Sequence, residues 1–457
     1  MKKVFKLFTM AFISMFALVL GVNAKDVADA TELNDCLATE SVCTLTADIN
    51  ADAVVPADKT VTLDLNGNDL TAVNGDAIYV TKGATLTIKG EGNVIATKTD
   101  YAAVFNDGTM TIDGGTFKRD VAGNTNKWYV ILNHGVMTIN DATVTIDNED
   151  QITSGSHPSL VDNGYYNFAS LNPRQGYVAG TNHENPSLTV NGGTFTGGLN
   201  TIKNDDNSVL EINGGTFKNT VQVSLMNWNM ATINGGTFET PTGNDKTNIF
   251  VGNSGTDSVN KGILVINGGT FNAENIVEGS VVTPIEINGG EFNYTVSFVN
   301  NSTERQSKND NLVTDGNIEV IGGTFADDTV KPEEGYTKYE VAEGEYVVAK
   351  TITFDTKTED VSIMNHKTLT LKLDELIIKY GEFKVADEKI AKVENGVITA
   401  LKEGKTTITV KFDGKEKTYN LTVVKNPETG DSAMIFMVLG LIGLVGAAVT
   451  TNKLRHN

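Results

Sequence analysis

The chain has 457 residues and a formal net charge of −21, with 36 Lys+Arg against 57 Asp+Glu. That balance repels a phosphate backbone and an anionic lipid surface, which excludes nucleic acid as a partner. Gly at 45 with Pro at only 8 excludes collagen and proline-rich linkers, and a hydrophobic content of 40% is enough for a packed core.

Residues 1–24, MKKVFKLFTMAFISMFALVLGVNA, carry Lys2, Lys3 and Lys6, then an apolar run, then the small residues Val22 and Ala24. This pattern predicts a secretory signal peptide cut after Ala24 and export through the Sec pathway. An uncleaved anchor is the alternative, and the short segment with small residues before the cut disfavours it. Only two cysteines follow, Cys36 and Cys43, and in an oxidising exterior they are candidates to close a small loop. Around them, DATELNDCLATESVCTLTADI predicts a short amphipathic helix with Leu33 and Leu37 on one face, followed by a strand.

From there the chain repeats. INGGTF occurs at Ile212, Ile233 and Ile266, and glycine pairs open at Gly114, Gly192, Gly214, Gly235, Gly268, Gly289 and Gly322. Degenerate copies place Gly67, Gly90 and Asp141 in the same series, and the basic period is about 22 residues with insertions of about eleven in some turns. An aliphatic residue stands two before each pair and a phenylalanine three after its first glycine: Phe117, Phe195, Phe217, Phe238, Phe271, Phe292 and Phe325. Units this short cannot bury their own apolar side, so they must stack, each coil covering the last. The aliphatic and Phe positions then form inward columns, while Asn-Gly-Gly supplies a bend with positive φ. These residues resemble the right-handed parallel β-helix superfamily, the pectin-lyase-like fold, over residues 25–350. The resemblance implies roughly a dozen coils and a rod of about 60 Å.

Residues 148–185 are the least repetitive stretch. Tyr165, Tyr166, Arg174 and Tyr177 there, with His157 and Phe168 and with Trp128, Tyr129 and Trp228 elsewhere, are candidates for ligand recognition. The competing reading, which is favoured, is two degenerate coils. Residues 351–424 lose the glycine pairs and gain lysine. Ile390 to Val393, Gly396 to Ala400 and Gly404 to Ile408 resemble the group 2 bacterial immunoglobulin-like domains, with Phe383 where that family commonly has Trp. That resemblance implies a small antiparallel β-sandwich, and the alternation of Ile, Val and Leu with Thr and Lys fits half-buried strands.

Residues 425–457 read as a sorting signal. Asn426, Pro427, Glu428, Thr429 and Gly430 precede an uncharged run inside a spanning segment over 433–451, and Lys453 and Arg455 follow. This resembles the sortase-recognised pentapeptides of Gram-positive surface proteins, with Asn426 in place of the usual Leu. The resemblance implies a sortase as partner, cleavage between Thr429 and Gly430, covalent attachment to peptidoglycan and only a transient membrane anchor. An ordinary C-terminal membrane helix is the alternative.

Chemistry is hard to find. A β-helix hydrolase needs paired carboxylates with a nearby His-Gly, and the candidates are Asp205-Asp206 with His134-Gly135 far away in sequence. The aspartate pair reads as a solvated turn. A lyase needs a basic proton acceptor, and Arg119, Arg174 and Arg305 are the only arginines between signal and tail. The five histidines show no metal-ligand spacing and no nucleophile motif occurs, so no catalytic residue, metal or cofactor is assigned. The expectation is an all-β, adhesin-like, non-enzymatic protein of the cell wall, in contact with a host glycan or protein. A wall-anchored polysaccharide lyase or glycoside hydrolase is the alternative.

Overall fold

The computed structural model describes residues 24–121, 128–146, 159–164, 186–205, 208–219, 221–240, 247–251, 262–273, 275–279, 285–294, 298–300, 318–326 and 328–426. The signal segment, Pro427 onward and most of 148–185 lie outside them, so the signal peptide, the C-terminal span and the positions of Tyr165, Tyr166, Arg174 and Tyr177 are not described. The chain divides into two compact units, 1–331 and 332–457.

The first unit is a parallel β-helix. Each coil contributes one short strand to each of three parallel stacks, and strands three apart in chain order pair with each other. Among the described residues the first sheet has 12 strands, running from Ala24–Val27 to Ile318–Val320, and the second has 10. The third stack runs from Ile49–Asn50 to Thr324–Phe325. The helix Ala30–Thr39 is capped by Asp29, whose carboxylate accepts from the amides of Thr31 and Glu32, and it buries Leu33, Cys36 and Leu37. Cys36 and Cys43 form a disulfide with a Cα separation of 6.0 Å.

In-register parallel pairing decides the interior, because each residue sits beside its counterpart in the next coil. Phe195, Phe217, Phe238, Phe271, Phe292 and Phe325 form one column with ring centroids 4.8 to 5.0 Å apart and nearly parallel planes. All are fully buried. Phe117 is set apart from this column, because Val144 occupies the intervening coil.

The two glycines of each pair serve different needs. The second has positive φ, +98° at Gly236, which side chains rarely adopt. The first does not, yet a Cβ on Gly235 would stand 2.5 Å from the carbonyl oxygen of Asn213 in the preceding coil. One glycine bends the chain and the other lets two coils approach. The expected register of Gly67 is shifted: Leu63 pairs with Ile88, which puts Leu65 opposite Gly90, because both leucines are buried and the turn through Asn66 and Gly67 is wider.

Two asparagine ladders close the corners. The outer one is the Asn of the glycine motif: Asn140 donates to Asp113, and Asn191, Asn213, Asn234, Asn267 and Asn288 each donate to the previous rung. The inner one is fully buried and runs the other way, from Asn106 through Asn133, Asn163 and Asn204 to Asn227, with amide-to-amide distances of 2.7 to 2.8 Å.

The second unit holds a hairpin, Tyr336–Ala342 with Glu345–Lys350, whose Tyr339 packs on Phe412, ring centroids 5.2 Å apart. Its four-stranded sheet orders Glu359–Met364, Lys415–Val424, Gly404–Phe412 and Glu382–Val385, and a three-stranded sheet completes the sandwich. The sandwich is not wholly antiparallel, since Glu359–Met364 pairs parallel with Lys415–Val424. The core comprises Ile377, Ile398, Ile408, Val410, Tyr419 and Leu421 with their neighbours, and Phe383 packs against it half-buried.

Replacing Phe238 with Ala should cost about 3 to 5 kcal/mol, as the ring is buried and stacked on both sides. A melting temperature of the β-helix equal to that of the parent would show that the column does not carry the core.

Candidate functional site

The second sheet departs from the inward-outward alternation of the first. Its strands Ile78–Val80, Val104–Asn106, Ile131–Asn133, Val161–Asn163, Asn200–Asn204 and Val223–Asn227 are buried on both faces. Register aligns Tyr79, Phe105, Leu132, Asp162, Lys203 and Met226 in one column at the middle of these strands. A second column follows the buried asparagines: Asp107, His134, Gly164, Asp205 and Trp228.

The charged groups of these columns meet. Lys203 Nζ lies 2.5 Å from Asp205 Oδ2 and 3.9 Å from Asp162 Oδ1, and 4.7 Å from the ring centre of Trp228. Tyr129 hydrogen-bonds to Asp162. A separate group one end along joins Tyr79, whose hydroxyl donates to Asp107 Oδ2 at 2.9 Å, with His134 Nδ1 3.6 Å from Asp107 Oδ1. Phe105 stacks on Tyr79 and meets His134 edge-on, centroids 5.0 Å apart in both pairs.

Burial sets the electrostatics. Burial pushes the Asp162 carboxyl up to about 8; Lys203 opposes the shift and Asp205 adds to it. For Lys203, burial opposes the ammonium, but Asp205 and then Asp162 outweigh it, and its pKa lies above the ordinary lysine value. Tyr129 is also raised, by burial first and by Asp162 next. At neutral pH the cluster holds a Lys203–Asp205 ion pair beside a largely protonated Asp162, the ingredients of acid–base chemistry. The side chains of Asp162, Lys203 and Asp205 are nevertheless no more than 5% exposed, too closed for a sugar ring to reach.

Several expectations are corrected here. Asp205 is not a solvated turn: it is 0% exposed and ion-paired, because the strand end brings it back over Lys203. Its carboxylate neighbour is Asp162 from the preceding coil, while Asp206 lies outside the described residues. His134 shares a column with Asp205 but stands two coils away, about 10 Å. Trp228 is buried rather than free for a ligand, and Trp128 and Tyr129 pack on the Tyr79, Phe105 and Leu132 cluster. Arg119 is fully buried and donates to the carbonyls of Lys98, Thr99 and Tyr101, which removes it as a lyase base. Among the described residues no group of His, Cys, Asp and Glu could hold a metal ion. An open groove of about 610 Å³ also runs along the glycine pairs from Gly214 to Gly290, flanked by Thr216, Thr237 and Thr270.

Residues 379–423 match the family model for the hyaluronate lyase N-terminal beta-sheet domain. The match covers a small part of the chain and falls wholly in the second unit. No curated protein and no solved structure gives a significant match.

The pKa of Asp162 makes stability pH-dependent with a defined sign. The folded state keeps a proton that the unfolded carboxyl releases near its ordinary value of 3.8, so the stabilisation is full below about 4 and is lost as pH rises through about 8. Unfolding free energy should therefore fall across pH 5 to 8 by at most about 1.4 kcal/mol per unit. Asp162→Asn should flatten that slope, and an unchanged slope in the variant would contradict the assignment.

Proposed function

We propose that this chain is an exported bacterial surface protein whose β-helix binds polysaccharide outside the cell and does not cut it. The observation that carries this reading is the closure of the Lys203 cluster. The acid and base groups that a β-helix enzyme would use are buried and neutralise one another. The polysaccharide class is supported by the likeness of residues 379–423 to the N-terminal beta-sheet domain of hyaluronate lyase. Export and wall attachment rest on the signal segment and on Asn426 to Gly430. In this reading a sortase joins Thr429 to a wall amine and discards the apolar segment with its basic tail, leaving an adhesin-like head displayed at the cell surface.

A second reading, an anchored polysaccharide lyase or glycoside hydrolase, is favoured by one observation. Asp162 and Asp205 lie on either side of Lys203 with Tyr129 beside them, and one carboxyl is raised toward neutrality.

The full chain tested against acidic and neutral polysaccharides for retention and for new chain ends should show binding without cleavage. Cleavage abolished by Asp205→Asn in a folded variant would replace the binding reading with the enzymatic one. Mass spectrometry of wall digests should yield a terminal peptide ending at Thr429 with a cross-bridge fragment. Protein recovered only intact through Arg455 would overturn the wall attachment.

A further inference from the structure

Outside the buried cluster, the first sheet carries a face of unusual chemistry. Along its strands, burial alternates strictly, so that every second residue points away from the core. In five successive coils one outward column reads Thr62, Thr87, Thr111, Thr138 and Thr189, in unbroken register. The neighbouring column reads Thr60, Thr85, Thr109, Val136 and Ser187, with Val136 49% exposed. No charged residue enters either column over these coils, in a chain of net charge −21. The hydroxyls of the first column make no hydrogen bond among the described residues. The charge-free column ends where Glu211 follows Thr189.

This is a lattice of hydroxyls and methyls. Successive coils are about 4.8 Å apart, and the two columns about 6.7 Å apart along each strand, so the patch extends for about 19 Å. The coil spacing is close to the advance per sugar in an extended β-linked glycan. A sugar presents hydroxyls at its edge and C–H groups on its faces, the same mixture that Thr and Val136 offer. The charge balance is equally selective: the lysine in the next outward column, Lys89, is already paired with Asp64 at 2.9 Å, so an anionic glycan gains little and meets the repulsion of an acidic chain, while a neutral one loses nothing. Beside the patch the next outward column reads Asp64, Lys89, Asp113, Asn140 and Asn191, in which Lys89 pairs with Asp64 and the two asparagines add exposed amides.

We propose that this face binds a neutral, extended β-linked polysaccharide lying along the coil axis, about one sugar per coil. The proposal rests on the polysaccharide-binding reading above and names the class of glycan and the surface that takes it. The hydroxyls of this face make no hydrogen bond among the described residues, so binding forms hydrogen bonds without breaking any described there.

The test uses the full chain with cellohexaose and chitohexaose as neutral probes and hyaluronan as the anionic one. Thr87→Val, Thr111→Val and Thr138→Val combined keep the β-branched shape and remove three hydroxyls. Thr109→Lys, at an exposed position, blocks the face if the triple variant fails to fold. Binding of a neutral oligosaccharide, weakened about tenfold or more by either folded variant and untouched by Thr216→Val on the third sheet, is expected. Neutral binding unaltered in folded variants would overturn the assignment of this face and leave the polysaccharide-binding reading standing. Binding of hyaluronan alone would overturn the neutral class with the same consequence. Retention of no polysaccharide at all would sink both.

Discussion

Everything in the β-helix depends on one constraint: a coil of about 22 residues encloses too little to hold itself, so each residue must be satisfied by its counterpart one coil away. Like meets like along the axis. That rule favours side chains that stack on themselves, and the structure is built from them. Phenylalanine rings lie face over face, aliphatic residues are buried with them, and asparagine closes two of the three corners. Asparagine suits a corner because its amide both donates and accepts, so a ladder of any length leaves no rung unsatisfied inside it. Aspartate only accepts, and it stands where the outer ladder needs no further donor, at Asp113.

The same constraint explains the Lys203 cluster. Two stacked carboxylates would repel at about 4.8 Å in a buried site, so a charged column must alternate in sign or hold a proton. Both solutions occur together: Lys203 follows Asp162 in the column, Asp205 pairs with it, and Asp162 retains its proton up to about 8. A closed network of this kind is expensive to break, yet it adds little over apolar packing. With side chains no more than 5% exposed, this network suits a role in fixing register between coils.

How much of this was legible depended on whether the repeat survived in the sequence. The glycine pairs, the Phe column and the outer asparagines were legible because they lie within eight residues of one another and recur unchanged, as at Ile212 and Ile233. The helix with Leu33 and Leu37 was legible from periodicity. The buried cluster was not. Asp162 and Lys203 are 41 residues apart, and insertions of unequal length separate the strands of the second sheet, so no fixed spacing joins them. One signal was present: Asn106, Asn133, Asn163, Asn204 and Asn227 each close a short strand of the second sheet, and aligning on them places Asp107, His134, Asp205 and Trp228 in one column. The first glycine of each pair was misread for another reason, since close approach of a neighbouring carbonyl is invisible until the coils are stacked.

The central claim, that in-register columns hold the head together, can be tested by deletion. Removing residues 268–288 takes out one full period and joins Asn267 to Gly289, which preserves every column and lets Phe238 stack on Phe292. Removing only 268–278 leaves half a coil. Calorimetry of the two variants should show a single cooperative transition close to that of the parent for the full-period deletion and none for the half-period deletion. Equal loss of cooperative melting in both would contradict the account.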